Sequence, residues 1–390
     1  MKLFILLSRI PYPTEKGDKL RAFHQIRILS EHHEITLCAL SDIPAHPDAI
    51  RILQQYCKRI EIIHLGKSGM VLNVLKAFLS GKPIQAGYFY RASARRQIHD
   101  LIDQTKPDHI YCQLLRVADY VRDLNVPKTL DYQDVFSKGM QRRIVSSPWW
   151  KKALFRLEYH RLLSFEKEIF NDFDNKTIIS APDRELIPHQ DNKEIVIIPN
   201  GVDHNYFSPM ERPKTYDLVF TGNMGYPPNV DAAEFLANHI FPQVLKVQPY
   251  ARLLIAGATP HSKVLALRSD NVAVSGWVID IRESYASSKI FIAPMRIGTG
   301  LQNKLLEAMS MKLPCITSPL ANSALGAKEE SEILVGSSVI EYARLIIQLL
   351  GDKEFADKIA ENGHSFVKDK YDWKKSTAML EDLFKSNHQK

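Results

Sequence analysis

PMRIGTGLQNKLLEAMSMKLPCITSP, residues 294–319, is the stretch from which the fold of the whole chain is interpreted. An apolar, strand-like run leads into it, and apolar residues follow at helical spacing from Leu301. Thr299 and Gln302 have the spacing of a capping box, which predicts a helix that starts between them. Gly300 lets the backbone come close to a ligand. The stretch therefore predicts a strand, a glycine loop and a helix N-terminus, an arrangement that binds anions.

Three charged residues accompany this predicted helix start. Lys304 and Glu307 lie three residues apart on the polar side of the helix, and Arg296 lies in the loop before it. Together with helix N–H groups, the two cations would neutralise a diphosphate, and Glu307 would accept hydrogen bonds from the two hydroxyls of a ribose. On spacing alone, a solvated Lys–Glu pair on an ordinary capped helix explains the pattern equally well.

The segment resembles the donor-site signature of family 4 retaining glycosyltransferases of the GT-B fold, in the branch written P-x-R-x-G-x-G-x-x-x-K-x-x-E-A-M. It is particularly similar to sugar transferases associated with exosortase (PEP-CTERM) exopolysaccharide systems. The resemblance implies two Rossmann-like domains facing a cleft and a nucleotide-sugar donor that needs no metal or other cofactor. It further implies that Arg296 and Lys304 are catalytic and that Thr299, Gly300, Leu301 and Glu307 bind the donor.

Strand-like and helix-like segments alternate along the chain, which predicts an α/β protein with parallel sheets covered on both faces. Proline, glycine and asparagine cluster in residues 198–214 and predict a domain boundary there. We expect an acceptor-side, doubly wound domain over residues 1–205 and a donor-binding one over residues 206–370. Residues 371–390 resemble the family's terminal helix, which crosses back to the first domain.

The second domain's first strand–helix turn lies in DLVFTGNMGYPPNVDA, residues 217–232. By resemblance, Gly222 and Asn223 would contact the donor. Many relatives carry an arginine and a lysine in this turn, and here no such cation is present, so Arg296 and Lys304 must supply most of the positive charge. Thr299 stands where the wider family has the first glutamate of its E-x7-E motif.

In the first half, RIPYPTEKGDKLRAFHQ, residues 9–25, resembles the same branch and puts Gly17 in a loop facing the donor phosphates. A plain strand–helix connection is the alternative. Gln113 stands where relatives often carry a histidine beside the reacting sugar, so no catalytic base is assigned and the leaving diphosphate would take the acceptor's proton. Asp131 and Asp134 follow a strand and would contact the acceptor; helix capping explains them at least as well.

Composition limits the partners. The chain has 390 residues and a formal net charge of +7, of which +6 falls in residues 1–205. This suits an anionic membrane surface or phosphorylated substrates, and no nucleic-acid-binding motif is present. The four cysteines lack metal-ligand spacing, which predicts reduced thiols in a cytoplasmic protein. The sequence has no apolar run long enough to span a membrane.

Two stretches, residues 68–83 and 146–163, combine apolar or aromatic residues with lysine and arginine. That combination is typical of peripheral contact with an anionic membrane. Packing of these aromatic residues against the domain's own sheet explains the pattern about equally well.

The combined interpretation is a retaining glycosyltransferase that moves a sugar from a nucleotide diphosphate sugar to a glycan hydroxyl. The acceptor would be lipid-linked, at the inner face of the membrane, in exopolysaccharide synthesis. One alternative is a sugar-nucleotide 2-epimerase of the same fold, whose acid and base residues we do not find. Another is a non-catalytic nucleotide-sugar-binding subunit, which the departures at Asn223, Thr299 and Gln113 leave open.

Overall fold

The computed structural model describes residues 1–66, 68–298 and 300–386. The chain divides into two compact units: unit 1 comprises residues 1–199 together with those from Trp373 onward, and unit 2 comprises residues 200–372.

Unit 1 is built on one parallel sheet, which contains seven strands within the described residues. They are β1 (Lys2–Leu7), β2 (Glu34–Ser41), β3 (Arg59–His64), β4 (His109–Gln113), β5 (Lys128–Asp131), β6 (Asn175–Ile178) and β7 (Val196–Ile197). Their spatial order is β3-β2-β1-β4-β5-β6-β7. The order reverses between β1 and β4, as in a doubly wound sheet.

Helices connect these strands. They are α1 (Gly17–Leu29), α2 (Ala49–Leu53), α3 (Ser68–Leu79), α4 (Ile84–Phe89), α5 (Ala92–Thr105), α6 (Phe136–Ser146), α7 (Trp149–Glu168) and α8 (Ala181–Arg184). Short 3-10 turns cover Leu115–Tyr120, Ile169–Asp172 and Asn192–Glu194.

Unit 2 repeats the plan with a parallel sheet in which the described residues form six strands. They are β8 (Tyr216–Thr221), β9 (Leu253–Ala256), β10 (Val272–Gly276), β11 (Ser288–Ala293), β12 (Cys315–Thr317) and β13 (Leu334–Val335). Their order is β10-β9-β8-β11-β12-β13, so the reversal falls between β8 and β11.

The helices of unit 2 lie between and after these strands. They are α9 (Pro227–Phe235), α10 (Phe241–Leu245), α11 (Ser262–Leu265), α12 (Ile281–Ala286), α13 (Asn303–Ser310), α14 (Pro319–Leu325), α15 (Val339–Gly351) and α16 (Lys353–Lys370), with a π turn at Leu236–Ile240. The last helix of the chain, α17 (Trp373–Ser386), is part of unit 1.

Both faces of the unit 1 sheet are buried. Along β1, Phe4 and Leu6 belong to a core that includes residues of α5 and α7. Leu3, Ile5 and Leu7 belong to a second core, with residues of α1, α2 and α17. Side chains alternate between the faces of a strand, so a continuous apolar run requires helices on both sides. The prediction of two doubly wound α/β domains is confirmed.

The boundary lies earlier than the predicted 205/206, between Pro199 and Asn200. Residues 200–207 pack along α13: Asn200 donates to Oδ1 of Asn303 at 3.1 Å, and His204 Nδ1 lies 3.0 Å from Ser310 Oγ. These hydrogen bonds attach residues 200–207, which belong to the predicted boundary segment, to unit 2.

All four cysteines lie in the described ranges, buried and unpaired. Among the described helices, none combines the length and the apolarity that a membrane span requires.

Candidate functional site

The carboxyl ends of β8 and β11 meet at the point where the strand order of unit 2 reverses. Gly222 follows β8 with a φ of 151°, and Gly257 follows β9 with a φ of 138°. A Cβ atom on Gly257 would lie 1.8 Å from the carbonyl oxygen of Gly222. The backbone can take this course because position 257 is glycine, a requirement that the sequence analysis did not predict.

The loop after β11 leads into α13. Gly298 has a φ of 102°, which favours glycine. The helix begins at Asn303 rather than at the predicted Leu301, because the backbone of Gln302 is extended. The Gln302 side chain donates to the carbonyl oxygen of Gly300 at 2.9 Å. The predicted Thr299–Gln302 capping box is wrong, because Gln302 itself is the N-cap residue of α13. Thr299 lies outside the described residues, so its predicted donor contact stays a prediction.

Lys304 lies in the first turn of α13 and is partly buried. Its Nζ donates to Oδ1 of Asn229 and lies 4.7 Å from the centre of the Phe220 ring. A Cβ atom on Gly222 would lie 3.2 Å from this Nζ, so the glycine leaves room for the ammonium. Burial lowers the pKa of Lys304 to about 7, and the negative charge of Glu307 opposes that effect.

Glu307 follows one turn later. Its Oε2 accepts a hydrogen bond from the Tyr285 hydroxyl at 2.6 Å, and that hydroxyl lies 2.8 Å from Thr221 Oγ1. Burial raises the pKa of Glu307, while the Tyr285 hydrogen bond and the charge of Lys304 oppose the rise. A buried tyrosine on α12 thus fixes one carboxylate oxygen, and no hydrogen bond from a described residue occupies the other.

Arg296 is half exposed in the loop before α13. Its Nε and Nη2 donate to the two carboxylate oxygens of Asp231 at 3.0 and 2.6 Å. Its guanidinium lies 4.4 Å from the centre of the Phe235 ring. Asp231 occupies one edge of the guanidinium; within the described part of the chain, no acceptor occupies the edge that includes Nη1.

Two residues of α9, Asn229 and Asp231, therefore accept hydrogen bonds from the two cations. Asn229 and Asp231 lie in the PPNVDA segment, residues 227–232, and no local sequence pattern predicts these contacts. Asn229 Nδ2 also donates to the carbonyl oxygen of Asn223 at 2.9 Å. The Asn223 side chain accepts hydrogen bonds from Gly225 N and Thr259 Oγ1, so it shapes the loop after β8.

In unit 1, the structure brings Gly17 and Gln113 together. Gly17 is the first residue of α1, and Gln113 ends β4. Gln113 Nε2 donates to the carbonyl oxygen of Asp18 at 3.1 Å. A Cβ atom on Gly17 would meet no atom of the described residues within 4 Å, so packing does not require glycine at this position.

The prediction of Asp131 as an acceptor contact is wrong. Asp131 is fully buried and accepts hydrogen bonds from Arg21 at 2.7 Å, Tyr111 at 2.9 Å and Thr177 at 2.8 Å. It anchors α1 to the sheet. Asp134 is exposed, and its Oδ1 accepts the N–H of Val135 just before α6; its predicted acceptor contact stays a prediction.

The arrangement in unit 2 is suited to binding an anion. A partly buried ammonium, an oriented guanidinium and the N-terminus of an eight-residue helix all favour a ligand with several negative oxygens. Glu307 adds a hydrogen-bond acceptor one turn along α13.

Comparison with known proteins supports one class of enzyme. Residues 215–352, which cover most of unit 2, match the family model described as "Glycosyl transferases group 1". The chain is 22% identical over 411 residues to the "Uncharacterized 44.6 kDa protein in cps region" of Klebsiella pneumoniae, covering 99% of this chain and 100% of that protein.

Two solved structures show the same fold. Sucrose-phosphate synthase from Thermosynechococcus elongatus has a TM-score of 0.73 at 14% identity, with full coverage of both chains. HepE from Anabaena has a TM-score of 0.70 at 14% identity, covering 98% of this chain and 99% of that chain. The predicted GT-B fold is confirmed. Because residues 215–352 match a glycosyl transferase model and the fold is shared with these structures, the chain is a glycosyltransferase.

Proposed function

We propose that this protein is a family 4 retaining glycosyltransferase that transfers a sugar from a nucleotide diphosphate sugar to a hydroxyl of a glycan. The observation that carries the proposal is the position of Lys304. It is partly buried at the start of α13, and it donates to Asn229 in the space that Gly222 leaves. This site lies within the segment that matches the glycosyltransferase model.

In the proposed complex, Lys304, Arg296 and the first N–H groups of α13 bind the diphosphate. The backbone of Gly222, Asn223, Gly300 and Leu301 approaches the donor from either side. The ribose hydroxyls donate to Glu307, whose carboxylate is oriented by Tyr285. Phosphates bind at helix N-termini because the unpaired N–H groups and the helix dipole both favour negative charge.

The proposed reaction breaks the bond between the anomeric carbon and the diphosphate oxygen. Negative charge then develops on the diphosphate, and Lys304 and Arg296 stabilise it. The acceptor hydroxyl attacks the anomeric carbon from the face that the diphosphate leaves, and its proton passes to a diphosphate oxygen. The configuration is retained, and no metal or other cofactor is required.

The comparisons suggest which donors to test first. HepE has been solved in complex with UDP and glucose, so UDP-sugars are the first donors to test. The relative from a cps region supports a role in capsule or exopolysaccharide synthesis. We infer a lipid-linked saccharide acceptor at the cytoplasmic face of the membrane, as in the exosortase-associated branch that the sequence resembles.

Thermal-shift screening with UDP, GDP, ADP and their sugars identifies the donor, and NMR of the product with that donor gives the anomeric configuration. We expect the product to keep the configuration of the donor sugar. Lys304→Ala should lower turnover by at least about a hundredfold, the typical effect of removing one preorganised charge stabiliser. Inversion, epimerisation at C2 without transfer, or a donor that is bound but left intact would contradict the proposal.

A further inference from the structure

Helix α7 presents an unusual row of large apolar side chains to solvent. Trp149 is 83% exposed and Trp150 is 64% exposed, and Leu154 and Leu157 are also exposed. Trp150, Leu154 and Leu157 are spaced four and three residues apart, so they form one stripe along the helix. Leu162 and Phe165, farther along α7 and to one side of this stripe, belong to the core of unit 1. The exposed stripe is therefore a second apolar face, which the fold of this unit does not use.

The end of α3 extends this face. Phe78 and Leu79 are exposed at the C-terminus of α3, Leu79 by 78%. Arg161 of α7 donates to the carbonyl oxygen of Phe78 at 2.7 Å, and its guanidinium lies 4.8 Å from the centre of the Phe78 ring. We call the exposed residues Trp149, Trp150, Leu154, Leu157, Phe78 and Leu79 the α3–α7 surface.

The chain around this surface is positively charged. Residues 62–99, which contain α3, include six lysines or arginines and no aspartate or glutamate. Residues 135–157, which contain the start of α7, also include six lysines or arginines and no aspartate or glutamate. The next carboxylate, Glu158, is buried and accepts the N–H groups of Ile84 and Gln85 at the start of α4. Since this carboxylate points into the unit, it does not offset the exposed cations. Two of the counted cations, Lys82 and Arg95, are paired with Asp119 and Asp123, and the excess rests on the others.

We propose that the α3–α7 surface binds the face of an anionic lipid bilayer. Tryptophan beside lysine is suited to the boundary between headgroups and acyl chains: the ring enters the boundary and the ammonium pairs with phosphate. Lys151, for example, lies 4.6 Å from the centre of the Trp150 ring. The charge favours a bilayer over a second copy of the chain, because two such surfaces would repel each other.

This surface extends the proposed function, because it would bring the enzyme to a lipid-linked acceptor. Binding to a bilayer requires no sugar transfer, however, so the two proposals can fail separately. The test uses the full chain without donor or acceptor. It measures sedimentation with vesicles of phosphatidylcholine alone and with vesicles that contain phosphatidylglycerol.

We expect the protein to sediment with the anionic vesicles and to remain in the supernatant with phosphatidylcholine. Trp149→Ala/Trp150→Ala should weaken the partition about tenfold or more, since each ring removes apolar area from the membrane interface. Lys151→Glu/Lys152→Glu should weaken it at least about tenfold, since each cation near an anionic surface contributes to binding.

Two variants are matched controls. Trp277→Ala removes a tryptophan of unit 2 that is 64% exposed, as Trp150 is. Lys246→Glu/Lys328→Glu changes the net charge by the same amount at exposed positions of unit 2. Both should sediment like the unaltered protein, and all variants should keep its unfolding temperature and UDP affinity.

Equal binding of the tryptophan variant and the unaltered protein would overturn the proposal, as would sedimentation independent of anionic lipid. Light scattering tests whether a second copy of the chain binds to this surface instead. A species of twice 44.6 kDa that Trp149→Ala/Trp150→Ala converts to a monomer would assign the surface to a second copy and contradict the lipid proposal.

Discussion

The ammonium of Lys304 donates a hydrogen bond to the side-chain oxygen of Asn229. A neutral amide accepts this bond, and burial lowers the pKa of Lys304 to about 7. In the unliganded protein the residue therefore loses its proton near neutral pH. A bound diphosphate would supply the negative charge that keeps it protonated.

The first prediction concerns pH. The bound diphosphate raises the pKa of Lys304 above its free value of about 7, so UDP binding takes up a proton. The contribution of Lys304 is fully present below pH 7. It falls as pH rises toward the pKa of the bound state, by up to about tenfold in affinity per pH unit. Calorimetry from pH 6.5 to 9, in buffers of different ionisation enthalpy, measures both the affinity and the proton uptake.

Lys304→Arg is the control for this experiment, because a guanidinium stays protonated throughout the range. The affinity profile of Lys304→Arg should lack the decrease above pH 7. Any pH dependence that remains in this variant comes from the titration of UDP itself. Identical profiles for the unaltered protein and Lys304→Arg would contradict this prediction.

The second prediction concerns Arg296 and Asp231. Arg296→Ala should raise the Kd for UDP about tenfold, since hydrogen bonds to charged groups contribute about 1.5–3 kcal/mol. Asp231→Ala should raise it less, because Arg296 remains but is no longer oriented. The double variant should bind like Arg296→Ala, because Asp231 acts through Arg296. Tighter binding by Asp231→Ala would mean that Asp231 competes with the diphosphate.

The third prediction compares two glycines. Gly257→Ala would place a Cβ 1.8 Å from the backbone of Gly222, and the strand ends must then separate. We expect a loss of about 3 kcal/mol in the free energy of unfolding, measured by denaturant titration.

Gly17→Ala is the matched comparison, since it meets no described neighbour within 4 Å and adds a good helix former at the start of α1. Its unfolding free energy should stay within about 0.5 kcal/mol of the original. If the Gly17 loop approaches a ligand, transfer should nevertheless fall about tenfold or more. Unchanged transfer would reduce this segment to a strand–helix connection.

The sequence predicted the fold well because β1 and β8 are continuous apolar runs at the start of repeated strand–helix alternation. It also identified Lys304, Glu307 and Arg296, whose spacing on a helix start is a local property. Their partners could not be predicted: Asn229 and Asp231 precede Lys304 and Arg296 by 75 and 65 residues. The packing of α9 against the loop after β11 is a tertiary contact that no local spacing encodes.

For Asp131, the sequence predicted a ligand contact where the structure shows a buried ion pair. A carboxylate just after a strand suggested a ligand contact, yet Arg21 reaches it from α1 across 110 residues of sequence. A buried arginine requires a buried partner, and the sequence does not show which arginine is buried.

The fourth prediction tests this correction. Asp131→Asn leaves the charge of Arg21 buried without its carboxylate, so the free energy of unfolding should fall by about 3–5 kcal/mol. Asp134→Asn, at an exposed position, is the control and should change stability by less than about 0.5 kcal/mol. A stable Asp131→Asn protein with a raised KM for the acceptor would restore the original hypothesis.

The central claim is that the start of α13 binds the donor diphosphate, and a crystal structure with UDP tests it most directly. We predict that the diphosphate oxygens lie within about 3 Å of Lys304 Nζ and of the first N–H groups of α13, with the ribose hydroxyls on Glu307. UDP bound elsewhere, out of reach of both Lys304 and Arg296, would contradict the claim.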